Sequence, residues 1–179
     1  MSGPDSLLPR FDVETVHGID IDAPTSDVFG AVRRLDLSGS RLIRLLFRLR
    51  GIRPEDLTEE GLRRLGFRVV LERPDRALAL GIIGRFWTAS GTLVDFEPAE
   101  FSSIATSGYA KALWHFELEP LGPGRTHLRT VTRVSCPDPV SRRRFRAYWM
   151  LAGPFSSLAR VRTLRLVKAA AEMDDYGKG

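Results

Sequence analysis

The run YAKALWHFELEPLGPGRTHLRTVTRV, residues 109–134, constrains this chain more than any other. Apolar and polar side chains alternate on both sides of the Gly122-Pro123-Gly124 break, as in two antiparallel strands joined by a turn. Ala112, Trp114, Phe116 and Leu118 point one way, and Lys111, His115, Glu117 and Glu119 the other. Leu128, Thr130, Thr132 and Val134 share a face, with His127, Arg129 and Arg133 opposite. Strands of this kind build a sheet with one buried and one wet side. Another part of the chain must then cover the buried side.

The cover follows directly. Residues 138–173 read as one long amphipathic helix. Phe145, Tyr148, Trp149, Ala152, Phe155, Leu158 or Ala159, Val167 and Ala170 form its approximate apolar stripe, and Asp138 or Ser141 is placed to cap it. Proline removes a backbone donor and crowds the preceding turn, so Gly153-Pro154 predicts a kink or a break.

Upstream, Val13, Val16, Ile19 and Ile21 indicate a strand over 12–22. DAPTSDVFGAVRRL then starts a helix at Pro24 with Thr25 or Ser26, with Asp27 at its positive end. Two more short helices are expected at 40–50 and 54–66. FRVVLERP, RALALGIIG, GTLVDFEP and EFSSIAT read as short strands that extend the hairpin into a meander of about five. Residues 1–10 read as a flexible arm, 11–173 as a single domain and 174–179 as a flexible tail.

Composition narrows the function classes. The chain has 179 residues, 43% hydrophobic and 27% charged, as expected of one soluble globular domain and not of a disordered chain. Arginine supplies 24 of its 27 basic residues, a bias that fits GC-rich coding or recognition of anions by the guanidinium fork. Residues 1–100 carry 14 basic and 16 acidic side chains, whereas 101–179 carry 13 and 6. Cys136 is the single cysteine, so no intramolecular disulfide forms, and a reducing compartment is expected. His17, His115 and His127 show no metal-ligand spacing, and no metal or cofactor is expected. No signal peptide and no apolar run long enough to span a membrane is evident, so the cytoplasm is the default location.

Two segments, IDIDAPTSDVFGAV and ALWHFELEPLGPGRTHLRTVTRV, carry a resemblance. With the order strand, short helices, antiparallel strands and long C-terminal helix, the chain over 11–173 resembles the SRPBCC, or START-like, helix-grip superfamily. That group includes lipid-transfer domains, birch-pollen-allergen-like proteins and bacterial polyketide cyclases. The segment SRRRFRAYWMLAGPFSSLARVRTLR resembles uncharacterised bacterial members. The resemblance implies an α+β fold with a curved antiparallel sheet wrapped around the C-terminal helix. It also implies an apolar cavity between them, and it supplies no ligand.

The expected lining is Val69, Leu71, Leu78, Leu80, Ile82, Trp114, Phe116, Leu128 and Val134 from strands, with Tyr148, Trp149 and Phe155 from the helix. Trp87 is expected at a strand end or rim. Each of these residues also reads simply as core. Thr130 and Thr132 are polar on an apolar face, so their hydroxyls need partners, in the protein or in a ligand. Three functions follow: binding of a hydrophobic or aromatic small molecule, lipid- or polyketide-like; cyclase- or aromatase-like catalysis by a polar cavity residue; and lipid or membrane-surface adaptation. The last rests on Arg41, Arg44, Arg48 and Arg50 beside leucines, and leaves peripheral membrane contact open.

No catalytic residue stands out. His115 and His127 alternate to the wet face, and Asp95 and Tyr109 reach the cavity only in the other register. Cys136 lacks an adjacent histidine, and GIIG at 81–84 lacks the setting of a phosphate loop. The arginines 142, 143, 144, 146, 160, 162 and 165 read first as a solvated helix face, and no nucleic-acid module is present.

Overall fold

The computed structural model describes residues 3–34, 66–88 and 92–176. The helices expected at 40–50 and 54–66 lie outside the described residues, and so do Arg41, Arg44, Arg48 and Arg50. The described elements are α1 (Pro4–Leu7), β1 (Val13–Ile21), α2 (Thr25–Arg33), β2 (Arg68–Arg73), β3 (Ala77–Gly84), β4 (Leu93–Val94), β5 (Ala110–Gly122), β6 (Arg125–Ser135) and α3 (Pro139–Tyr176).

The sheet runs β1-β6-β5-β3-β2, antiparallel throughout, and the two residues of β4 pair with the end of β3. The first strand closes against the last, so the order departs from a simple meander. EFSSIAT is not a strand: after a 3-10 turn at Pro98–Glu100 the chain turns over 101–103 and runs irregularly to Thr106.

Register sorts the side chains of the inner face, the one toward α3, into rows. Thr15, Thr132, Trp114, Leu80 and Val69 make one row, and His17, Thr130, Phe116 and Leu78 the next. A bulge at Val70 makes Val69 face Leu80 and Leu71 face Ala79. The extra residue turns Leu71 to the opposite side of the sheet.

Two apolar clusters hold α3 to this inner face. At one end Leu164, Val167 and Ala171 pack with Ile21, Leu118 and Leu128 and with Val28 and Val32 of α2. At the other end Phe145 packs with Ala110, Val134 and Cys136, and with the partly buried Trp87, Tyr148 and Trp149. Asp138 caps the helix, accepting hydrogen bonds from the Val140 and Ser141 amides at 3.0 and 2.8 Å. Its second oxygen accepts the Gly108 amide at 2.8 Å, and these bonds hold its carboxyl well below the usual range. The helix continues through Pro154 without the break that Gly153-Pro154 suggested.

The outer face is wet only in part: Val16 and Asp20 are exposed there and Glu117 and Arg129 are half-buried, but the region over β3 and β5 is packed. Leu8, Ala79, Ile83, Phe96, Phe101 and Leu113 form a third core there, joined by the half-buried Val70 and Leu71. Phe101 sits directly on β3: a Cβ at Gly81 would lie 2.6 Å from its ring, so the absent side chain at 81 makes room for it. Residues 3–10, read as a loose arm, lie against this face; Leu8 is buried, and Asp5 and the Leu8 carbonyl bind Arg133. His115, expected to face solvent, is fully enclosed.

Candidate functional site: a cationic band between helix and sheet

Between its two apolar clusters the helix–sheet interface turns polar. Thr15 and His17 from β1 and Thr130 and Thr132 from β6 project from the inner face there, and Arg160 comes down from α3. Helical phase, about 100° per residue, explains its direction. Arg160 falls on the same face as Phe145, Trp149, Ser156, Thr163 and Val167. Arg162 and Arg165 fall on the other side and are exposed.

Arg160 Nε donates to Thr132 Oγ1 at 3.0 Å, and its guanidinium carbon lies 3.6 Å from the centroid of the Trp114 ring. Its terminal Nη groups make no hydrogen bond to the protein, and no carboxylate pairs with it, among the described residues. Desolvation by burial pulls its pKa down to about 9, so it is still a cation at neutral pH.

The hydroxyl at Thr130 is already committed. It accepts Trp114 Nε1–H at 2.8 Å and donates to the His115 carbonyl at 3.1 Å. This locks the indole edge and leaves its face to Arg160. By contrast, Thr15 Oγ1 and His17 Nε2 are buried without a protein partner. Burial, and then the charge of Arg160, push the His17 pKa below its ordinary 6.5, so the ring is neutral at pH 7.

The expected lining residues divide. Trp114, Phe116, Thr130, Thr132, Leu78, Leu80 and Val69 lie in the two central rows. Ile82 pairs with Ala112 one row toward the Phe145 cluster, which also holds Trp87, Tyr148 and Trp149. Leu71 belongs to the outer core because of the bulge at Val70. Phe155 is 54% exposed, because it lies about a quarter turn off the stripe that faces the sheet.

The other chemical candidates lie elsewhere. Asp95 is exposed and pairs with Arg68, and Tyr109 packs on the outer core beneath the Arg85 guanidinium. His127 pairs with Asp20 at 2.6 Å on the outer side. Burial pushes the Cys136 thiol up to about 12, which removes its nucleophilic form at neutral pH. A recess of about 70 Å³ under Ile104, Tyr109 and Lys111 has room for water and not for a drug-sized molecule. No group of three or more potential metal-ligating side chains occurs among the described residues. No helix among them is long and apolar enough to cross a membrane.

Sequence reading missed Arg160 and His17. Arg160 was hidden among seven arginines of similar spacing, although its phase on the apolar stripe distinguishes it from Arg162 and Arg165. His17 sits in a strand whose other inner-facing residues include Val13, Ile19 and Ile21, and that alternation is its signal.

No protein-family model and no curated protein matches the chain. Among solved structures, it is similar to a conserved protein from Geobacillus kaustophilus at 10% identity and a TM-score of 0.46, covering 90% of this chain and 96% of that one. It is also similar to the Zhui aromatase/cyclase from Streptomyces sp. R1128 at 14% identity and a TM-score of 0.34, covering 89% and 93%. A third is the Aha1 dimer from Colwellia psychrerythraea, at 12% identity and a TM-score of 0.31, covering 66% and 74%. What those proteins bind or catalyse stays with them. By its own element order, topology and helix placement, this chain has the α+β helix-grip architecture that its sequence resembles.

Proposed function

We propose that the chain binds an apolar or aromatic small molecule, lipid- or polyketide-like, between the inner face of the sheet and α3. One observation carries this reading: the polar band between two apolar clusters is not internally satisfied. Folded interiors pair nearly all their buried polar atoms. Here Thr15 Oγ1 and His17 Nε2 have no protein partner, and Arg160 has no counter-charge among the described residues. Trp114 and Phe116, with ring centroids 4.8 Å apart, would supply aromatic contact, and Leu78, Leu80 and Val69 would extend it. Thr132 and Thr15 would orient a polar group of the ligand.

The test is native mass spectrometry of gently purified protein, followed by organic extraction of whatever it carries. A stoichiometric apolar molecule is the expected result. An apo mass, together with no uptake of the neutral fluorophore 1-aminoanthracene, contradicts the reading.

One observation favours a second reading, cyclase- or aromatase-like catalysis. His17 is a titratable side chain on the inner face, held neutral and therefore able to accept a proton. That reading requires a polyketide-like substrate whose cyclisation the protein accelerates. The rate would fall on the acid side of pH 6.5, and His17→Gln would abolish both the rate and that limb. An unchanged pH–rate curve in His17→Gln would exclude His17 as the base.

A further inference from the structure

Charge accounting in the interior makes the ligand reading more specific. Among the described residues Arg133, Lys111 and Arg160 reach over the packed faces of the sheet, and Arg85 lies on Tyr109 beside the outer core with its Nε donating to the Gly108 carbonyl at 3.0 Å. Arg133 is bound by Glu14 and Asp5 at 2.6 and 2.7 Å and by the Leu8 carbonyl. Lys111 Nζ donates to the carbonyls of Phe101, Ser102 and Ile104 at 2.8, 3.0 and 2.9 Å. Arg160 has a hydroxyl on Nε and an aromatic face beneath it, and its terminal donors are uncommitted.

A guanidinium offers two parallel N–H donors that match the two oxygens of a carboxylate. A cation–π contact positions such a group without neutralising it. A neutral ligand would cover the half-buried Arg160 guanidinium and leave its charge uncompensated, which is unfavourable. A monoanion cancels it one for one. The unpartnered Thr15 hydroxyl, on the same sheet row as Thr132, adds a donor at that end of the band.

Building on the proposed ligand site, we infer that its natural occupant is an apolar molecule with a single carboxylate, held by the Arg160 fork with its body along Trp114 and Phe116. Arg160 is then the specificity-determining residue, and its position on α3 ties the helix to the ligand's head group.

The experiment compares three probes with the same ten-carbon chain, decanoate, methyl decanoate and decanol, each displacing 1-aminoanthracene from the intact protein. Decanoate is expected to bind at least about tenfold tighter than the other two. Arg160→Gln should bring decanoate down to the level of the ester and leave the ester within about twofold. Arg162→Gln and Arg165→Gln, both exposed, should change nothing.

Equal affinity for all three probes overturns the inference and leaves apolar binding standing. A decanoate preference that survives in Arg160→Gln also overturns it, because the anion would then sit elsewhere. Failure of every probe, 1-aminoanthracene included, removes the ligand site itself. Should Arg160→Gln not fold, the wild-type preference and the Arg160→Lys variant decide. Lysine keeps the charge without the fork and should retain only part of the preference.

Discussion

Both faces of this sheet carry a packed core, yet they treat the cations set against it in different ways. On the outer face Arg133 is answered by two carboxylates and a carbonyl and Lys111 by three carbonyls. On the inner face the half-buried Arg160 lies beside a neutral histidine and an aromatic ring. The outer ions close the structure: they tie the N-terminal segment and the turns around Phe101 to the strands. The inner ion leaves donors uncommitted. Neither burial nor an unpaired neutral atom therefore distinguishes a core from a site, since both ring nitrogens of the enclosed His115 on the outer face also lack a partner; an uncompensated charge beside such atoms does.

The largest expected effect tests whether the faces are independent. Phe101 is fully enclosed in the outer core, so Phe101→Ala should lower unfolding free energy by about 3–5 kcal/mol in denaturant titrations. The affinity of the folded fraction for 1-aminoanthracene should not change. If that affinity collapses while the protein remains folded, the two faces are coupled.

Next come two chemically identical substitutions. Arg133→Met removes a 7%-exposed cation from two carboxylates and should cost about 2 kcal/mol. Arg160→Met removes an uncompensated charge. The relief of desolvation offsets the lost cation–π contact, so stability should stay within about 1 kcal/mol of wild type. Equal losses in the two variants would remove the distinction between closing ions and open ones.

Smaller effects come with pH. Burial lowers the pKa of His115 on the outer face, and burial followed by Arg160 lowers that of His17 on the inner. The unfolded chain therefore takes up protons first. Stability from these groups is full above about pH 6.5 and declines as pH falls from there toward the folded-state values, by at most about 1.4 kcal/mol per pH unit for each. His115→Phe should flatten this decline more than His17→Phe, because His115 is fully enclosed and His17 is half-buried. An unaltered profile in His115→Phe would contradict its burial as a neutral ring. In Arg160→Met the His17 pKa, followed by NMR, should rise, since one of its two depressing influences is gone.

Much of the inner face was legible because period-two alternation survives wherever one side of a strand is packed. Trp114, Phe116, Leu128 and Val134 needed no more than that. The Asp138 cap and the extent of α3 were readable from local chemistry. The outer core was not. Its cover comes from α1 and the turns around Phe101, segments too short to show a period, so Lys111, His115 and Arg133 looked like a solvated row. Leu71 was misplaced because a bulge leaves no mark on alternation until its partner strand is known. Phe155 was assigned to the stripe by its apolar character, although helical phase turns it outward. Arg160 failed in the reverse sense: its charge suggested solvent and its phase pointed to the sheet.

The most direct measurement follows the three tryptophan indole N–H resonances and the His115 ring by NMR while 1-aminoanthracene is added. The account predicts that the Trp114 indole, fixed to Thr130 beneath Arg160, moves on binding while His115 on the opposite face does not. Saturable binding that leaves Trp114 unmoved, or moves His115 instead, would contradict a ligand site between the sheet and its C-terminal helix.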